Sequence, residues 1–140
     1  MIISKVAKEQ LTDQFLESLH KATFDYSKEA KDFKIDGGYI GHLDDGTFVG
    51  YVLYKELSDT EVELMYGGAD KSFRGFSTLK NHMKFIDFMM EKYESIVTSV
   101  WNKNHPMLKI YMALEFDVIG TKLSTDGNKN VFVILNKKRS

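Results

Sequence analysis

The sequence predicts an α/β fold, a mixed central sheet of about seven strands with helices on both faces. Three observations predict it. Segments that alternate with period two are interleaved with segments whose apolar residues recur every three or four positions. Three strand-like segments succeed one another between Gly38 and Ala69, joined by turn-forming residues. Beyond them, helix and strand patterns alternate before a closing pair of strands.

Ile2 to Val6 reads as a short first strand. Thr12 to Phe24 is helical: Leu11, Phe15, Leu19 and Ala22 recur at spacings of four, four and three, with Thr12 as N-cap. Tyr26 to Asp36 is polar and reads as a second, looser helix. Gly38 to Leu43 then turns at Asp44-Asp45-Gly46, a hairpin signal. Thr47 to Leu57 alternates and turns at Ser58-Asp59-Thr60, and Glu61 to Ala69 completes the meander. Strand alternation places Glu61, Glu63, Met65, Gly67 and Ala69 on one face.

The next helix spans about Ser77 to Lys92, with Phe76, Leu79, Met83, Ile86 and Met90 as its apolar stripe. Phe85, Phe88 and Met89 widen that stripe to two covered faces. Ile96–Trp101 is a buried strand, with Trp101 as core or cleft lining. Helix Pro106–Leu114 follows, its proline in the first turn, where a missing N–H costs nothing. Val118–Leu123 and Val131–Asn136 form the last hairpin, through Thr125-Asp126-Gly127-Asn128.

At 140 residues the chain suits a single domain, 1–140, with 43% hydrophobic and 28% charged residues. A formal net charge of −1 supplies no global field for nucleic acid or anionic membrane. Lys80, Lys84 and Lys92 read as the solvated side of a helix, and nucleic-acid binding is disfavoured. No apolar run approaches the roughly 18 residues of a membrane span. The opening Met1-Ile2-Ile3-Ser4-Lys5 is strand-like, without signal-peptide architecture. The absence of cysteine removes disulfides, thiol nucleophiles and thiolate metal sites, and fits a cytoplasmic protein. His20, His42, His82 and His105 show no metal-site spacing, so no metal is expected.

The most specific stretch is Asn104-His105-Pro106-Met107, followed by Tyr111 and then Leu114-Glu115-Phe116, between two strands. It resembles the second half of the acyl-CoA N-acyltransferase (GNAT) fold, whose pattern is roughly Asn-x-x-Ala-x-x-x-Tyr-x-x-x-Gly-Phe. Glu115 stands where that pattern has Gly. The resemblance implies an acetyl-CoA-dependent N-acetyltransferase of a primary amine, often a homodimer, with Asn104 and Tyr111 beside the thioester. Tyr111 would be the general acid toward the departing thiolate and Asn104 would bond cofactor amides. Amphipathic packing for Tyr111, and helix capping for Asn104, are the plain alternatives.

Between the third meander strand and the long helix, Phe73-Arg74-Gly75-Phe76-Ser77-Thr78 resembles the family's Arg/Gln-x-x-Gly-x-Gly/Ala loop around the CoA pyrophosphate. A helix N-terminus after a tight loop is a natural anion site. Ser77 and Leu79 replace the two small residues; Ser77 can donate its hydroxyl or cap the helix, and Leu79 is expected to turn into the core. Gly67 and Ala69 would expose backbone to the pantetheine. Glu61 and Glu63 are the candidate general bases, with solvent-facing carboxylates as the alternative.

Glu91-Lys92-Tyr93-Glu94-Ser95, Val100-Trp101, Asn104-His105, Leu108-Lys109 and Thr125-Asp126-Gly127-Asn128 also resemble small GNAT-like proteins of short-tailed phages. That likeness implies a second function class: a non-catalytic GNAT-fold protein working through protein contacts, with virion proteins as partners. The acceptor amine is not legible.

Overall fold

The computed structural model describes residues 1–23, 35–73, 76–124 and 129–140. Seven strands form one sheet: β1 (Ile2–Val6), β2 (Gly37–His42), β3 (Phe48–Glu56), β4 (Glu61–Ala69), β5 (Ser95–Trp101), β6 (Asp117–Leu123) and β7 (Val131–Lys138). Their order is β1-β2-β3-β4-β5-β7-β6. The helices are α1 (Asp13–Thr23), α2 (Phe76–Met90) and α3 (His105–Ala113). Of the expected second helix, 26–36, residues 26–34 lie outside the described residues, as does the last turn, 125–128, while Ile35 and Asp36 are not helical.

Local chemistry accounts for the element ends. The Phe15 N–H donates to Thr12 Oγ1 across 3.3 Å, so Thr12 caps α1 as its sequence position predicts. At the first hairpin Gly46 holds φ +90°, a conformation that L side chains rarely adopt, and Asp45 Oδ1 accepts the Thr47 N–H at 2.9 Å. The loop before β4 closes through Leu57 N–H to the Glu61 carbonyl, 2.9 Å.

Two apolar clusters cover the two faces. On one, α2 and α3 pack onto Tyr39, Val52, Tyr54, Val62, Leu64, Ile96, Val100 and Leu135. On the other, Leu16 of α1 meets Tyr51 and Leu53, with Leu11, Phe15 and Tyr66 beside them. Leu16 is thus the deeply buried residue of α1, one position from the expected stripe.

The α2 stripe also differs from expectation. Phe85, Ile86 and Met89 are buried at 5%, 2% and 1%, whereas Leu79 and Met83 are 41% and 43% exposed. Leu79 does not join the core. The buried face is displaced around the helix and passes through half-buried His82. Trp101 is 41% exposed at the end of β5, with Lys103 Nζ 6.0 Å from its ring centroid.

A β-bulge sets the chemistry of β4. Leu53 pairs with Tyr66 but Tyr54 pairs with Leu64, so Met65 is an extra residue opposite no partner. Val62 and Leu64 lie in the α2/α3 cluster, yet Tyr66 lies with α1. Strict alternation would have kept all three together. Glu61 and Glu63 therefore face the α1 side, while Gly67 and Ala69, paired with Val52 and Gly50, face the α2/α3 side. The single face expected for these residues is two faces.

Candidate functional site

The sheet has one parallel pair, and it comes apart. β4 and β5 share four rungs, Glu61↔Ser95, Val62↔Ile96, Glu63↔Val97 and Leu64↔Thr98. Beyond them β4 runs on to Ala69 against β3, and β5 runs on to Trp101 against β7. The strands thus diverge just after the Leu64–Thr98 rung, and the bulged Met65 is the next residue. Divergence withdraws backbone edges from each other, which leaves hydrogen-bonding groups directed into a slot.

Thr98 closes the root of that slot. It is buried, and its Oγ1 donates to the Leu64 carbonyl across 3.1 Å. The Thr98 side chain also lies against the Tyr111 phenol, where it partly opposes the upward push of burial. Thr98 is a site residue that sequence reading missed. The available signal was a lone hydroxyl among the inward positions Ile96, Thr98 and Val100.

α3 holds Tyr111 from both ends. At its start the Asn104 side chain accepts the Met107 N–H at 3.4 Å, with Pro106 in the first turn, so Asn104 serves as N-cap. Such a cap contributes about 1 kcal/mol. At its end Glu115 adopts φ +66°. Glu115 N–H donates to the Met112 carbonyl and Phe116 N–H to the Tyr111 carbonyl, each at 3.0 Å, the hydrogen-bond pattern of a left-handed helix stop. Phe116 meets the Tyr111 ring edge-on at 4.9 Å, and the His82 ring stands 6.5 Å away. Tyr111 is 7% exposed, and burial pushes its phenol above the ordinary value.

His82 adds a second buried titratable group. Its Nδ1 donates to the Thr78 carbonyl at 3.0 Å, which leaves Nε2 as the unprotonated nitrogen of a neutral ring. Burial pulls this imidazole below its ordinary value of 6.5, and the Thr78 bond opposes that only in part.

The candidate carboxylates separate. Glu61 Oε2 accepts from Ser95 Oγ at 2.9 Å, and Ser95 Oγ in turn accepts from Asn136 Nδ2 at 2.7 Å. Glu63 instead lines a cavity of about 360 Å³ at the slot, with Met65, Ser99, Lys122, Leu123 and Phe132 among its walls. Glu63 and Tyr111 thus flank the parting strands from opposite faces. Sequence reading did not find Lys122 or Phe132, because nothing local signals that β6 and β7 curl over the slot.

Of the proposed pyrophosphate loop, Arg74 and Gly75 lie outside the described residues, as do the side chains of Phe76 and Ser77. Phe73 ends a short 3-10 turn, Lys71–Phe73, whose start is held by the Asp70 carboxylate accepting from the Ser72 N–H and hydroxyl. α2 then begins at Phe76, with half-buried Thr78 in its first turn. Gly67 is exposed, and a Cβ there would stand 3.3 Å from the Tyr51 carbonyl oxygen.

A larger recess of about 690 Å³ lies at the other end of β4, lined by Lys5, Lys8, Asp36, Tyr54 and Glu56. Its Glu56 is already committed, accepting from Tyr93 Oη at 2.6 Å beside Lys92 at 3.5 Å. Of the site residues singled out from the sequence, Glu63 lines the cavity at the diverging strands and none lines this recess. Among the described residues no helix is long and apolar enough to cross a membrane, and no group of His, Cys, Asp and Glu could hold a metal.

No family model and no curated protein matches the chain. Solved structures do. A spermidine N-acetyltransferase chimera built from the Vibrio cholerae protein superposes with a TM-score of 0.73 at 13% identity, covering 99% of this chain and 96% of that one. Arabidopsis thaliana Naa50, in complex with a bisubstrate analogue, CoA-Ac-MVNAL, gives 0.71 at 18% identity, with 99% and 98% covered. The Escherichia coli ribosomal-protein-S18-alanine N-acetyltransferase gives 0.69 at 14%, with 99% and 94% covered. These likenesses establish the fold: the chain has the GNAT architecture.

Proposed function

We propose that residues 1–140 are a single-domain, cytoplasmic N-acetyltransferase that uses acetyl-CoA to acylate a primary amine. The observation that carries this reading is the slot opened by β4 and β5 after the Leu64–Thr98 rung, flanked by Tyr111 on one face and Glu63 on the other. The neighbours in fold, named for acetyl transfer to spermidine and to a ribosomal protein's alanine, support the same chemistry.

Acetyl-CoA, when bound, supplies the thioester. Its pyrophosphate would be held ahead of and at the start of α2 by the run Phe73, Arg74, Gly75, Phe76, Ser77 and Thr78, residue types that offer backbone N–H groups, a guanidinium and hydroxyls. The pantetheine fits along Gly67 and Ala69, whose small or missing side chains leave the backbone approachable. Asn104 would offer its side chain to a cofactor amide, a role in competition with its cap.

An acceptor amine entering from the α1 side meets Glu63 first. Glu63 takes the amine proton, directly or through water, as the nitrogen attacks the acyl carbon. Glu61 is the alternative base and gives up its Ser95 bond to act. The C–S bond breaks toward the other face, where Tyr111 protonates the thiolate. A phenol held protonated by burial suits that donor role.

A second reading has its own support. Tyr111 packs edge-on against Phe116 and Asn104 accepts the Met107 N–H as a cap, so both are structurally engaged. A non-catalytic GNAT-fold protein, in the manner of the phage proteins and their virion contacts, needs no more of them. Calorimetric titration with acetyl-CoA and CoA separates the two. Micromolar binding is expected; no heat at millimolar ligand would overturn the enzyme reading in favour of the second.

A further inference from the structure

We infer that the acceptor is a free amino acid, bound by its ammonium to Glu63 and by its carboxylate to Lys122. This rests on the acetyl-transfer reading above and names the substrate class for the cavity at the slot. The walls of that cavity are mixed in a particular way. Glu63 and Lys122 stand on different strands, β4 and β6, with the apolar side chains of Met65, Leu123 and Phe132 and the hydroxyl of Ser99 also lining it. Among the described residues the side chains of Glu63 and Lys122 make no hydrogen bond or ion pair, with each other or with a third group. One negative and one positive charge therefore face the same space without neutralising each other.

The pairing discriminates between amines. β4 and β6 are separated in the sheet by β5 and β7, about three strand spacings. Lys122 lies level with Trp101, four residues along β5 from the Glu63 rung, so the two backbones stand on the order of 19 Å apart on a flat sheet. Long side chains leaning inward close part of that distance, and a small zwitterion bridges the rest. A polyamine has several cations to satisfy; here it meets one carboxylate and is repelled by Lys122. A peptide N-terminus offers an ammonium but no adjacent carboxylate, and leaves Lys122 without a partner. A cavity of about 360 Å³ is at the small end for ligand sites, which suits a metabolite carrying one modest apolar side chain. In the reaction the N–C bond forms at the amino nitrogen and the C–S bond breaks. Glu63 first takes one proton from the ammonium, which frees the nitrogen lone pair for attack. The second nitrogen proton is lost after the N–C bond forms and balances the one Tyr111 gives to the thiolate. The products are the N-acetyl amino acid, free thiol and one proton released from Glu63 to solvent.

The test is a thiol-release assay on the intact protein with apolar L-amino acids, their carboxamides, spermidine and a short peptide, beside calorimetric titration with CoA. Amino acids should be turned over with kcat/KM at least about tenfold above their carboxamides, because a charge-assisted hydrogen bond is lost in the amide. In Lys122→Gln, on an exposed edge strand where folding is not at stake, KM for amino acids should rise about tenfold with kcat nearly unchanged. The preference over carboxamides should vanish with it. CoA binding with turnover of carboxamides, spermidine or peptide equal to that of amino acids would overturn the inference and leave acetyl transfer standing. CoA binding with no turnover of any amino acid would overturn it as well. Failure of CoA to bind would remove both readings together.

Discussion

Phe116 donates its backbone N–H to the carbonyl of Tyr111 across 3.0 Å, while the two rings meet edge-on with centroids 4.9 Å apart. The turn between them is made by Glu115 at φ +66°. For a residue with a Cβ that conformation costs roughly 1–2 kcal/mol. Glycine in the same place gives back about 0.5–1 kcal/mol through the freedom of its unfolded chain. Glu115→Gly should therefore stabilise the protein by about 0.5–1 kcal/mol, raising the melting midpoint by about 2 °C. A lower midpoint in thermal denaturation would mean that the glutamate side chain makes a compensating contact.

Thr98 should behave as a buried junction. Valine keeps its shape but removes the hydroxyl that donates to the Leu64 carbonyl. Leaving that carbonyl unpaired should cost about 1–3 kcal/mol in denaturant unfolding. Thr98→Ser retains the hydroxyl and should cost less. A larger loss in Thr98→Ser than in Thr98→Val would assign the effect to the methyl group, which valine keeps and serine lacks.

Tyr111→Phe separates acid catalysis from packing. A general acid contributes about 10²–10⁴ to rate. The variant should lose turnover by about a hundredfold with its calorimetric affinity for CoA nearly intact. Equal turnover would remove Tyr111 from the mechanism and leave it as a packing residue.

The pH dependence of stability should carry the mark of His82. Its folded-state pKa is lowered by burial, so below about 6.5 the unfolded chain binds a proton that the folded chain refuses. Stability from this group is present above that value and falls as pH drops through it toward the folded pKa. The melting midpoint should decline between pH 8 and pH 5 more steeply in the native protein than in His82→Leu. Parallel curves for the two would show that other groups set the slope.

Periodicity made the element order legible, because each strand and helix presents a continuous apolar face to one sheet. It failed where a single residue changes the geometry. Nothing in Glu61-Val62-Glu63-Leu64-Met65 announces a bulge, since the extra residue is defined by its partner strand and not by its own chemistry. The stripe through Leu79 and Met83 satisfied helical spacing, yet a neighbouring stripe containing Phe85 and Met89 offered more apolar surface and took the core. Tyr111 was legible through its motif. Thr98 and Lys122 were not, since their significance arises only when β5 parts from β4 and β6 closes beside β7.

The extra residue at position 65 has a consequence for how this chain can change length. A strand of uniform alternation tolerates a two-residue insertion or deletion better than one of a single residue, because parity survives the first and not the second. Here parity is already reversed once, so the carboxylates ahead of Met65 and the glycines behind it are out of phase by construction. Deleting that one residue would straighten the strand with Glu63 and Gly67 still on opposite faces, whereas one residue added to β3 opposite Met65 would bring them into phase, and a proton acceptor and an open backbone edge would compete for one side of the sheet. The segment from 61 to 69 can accept many substitutions at its surface, but the one-residue mismatch with β3 is part of its chemistry.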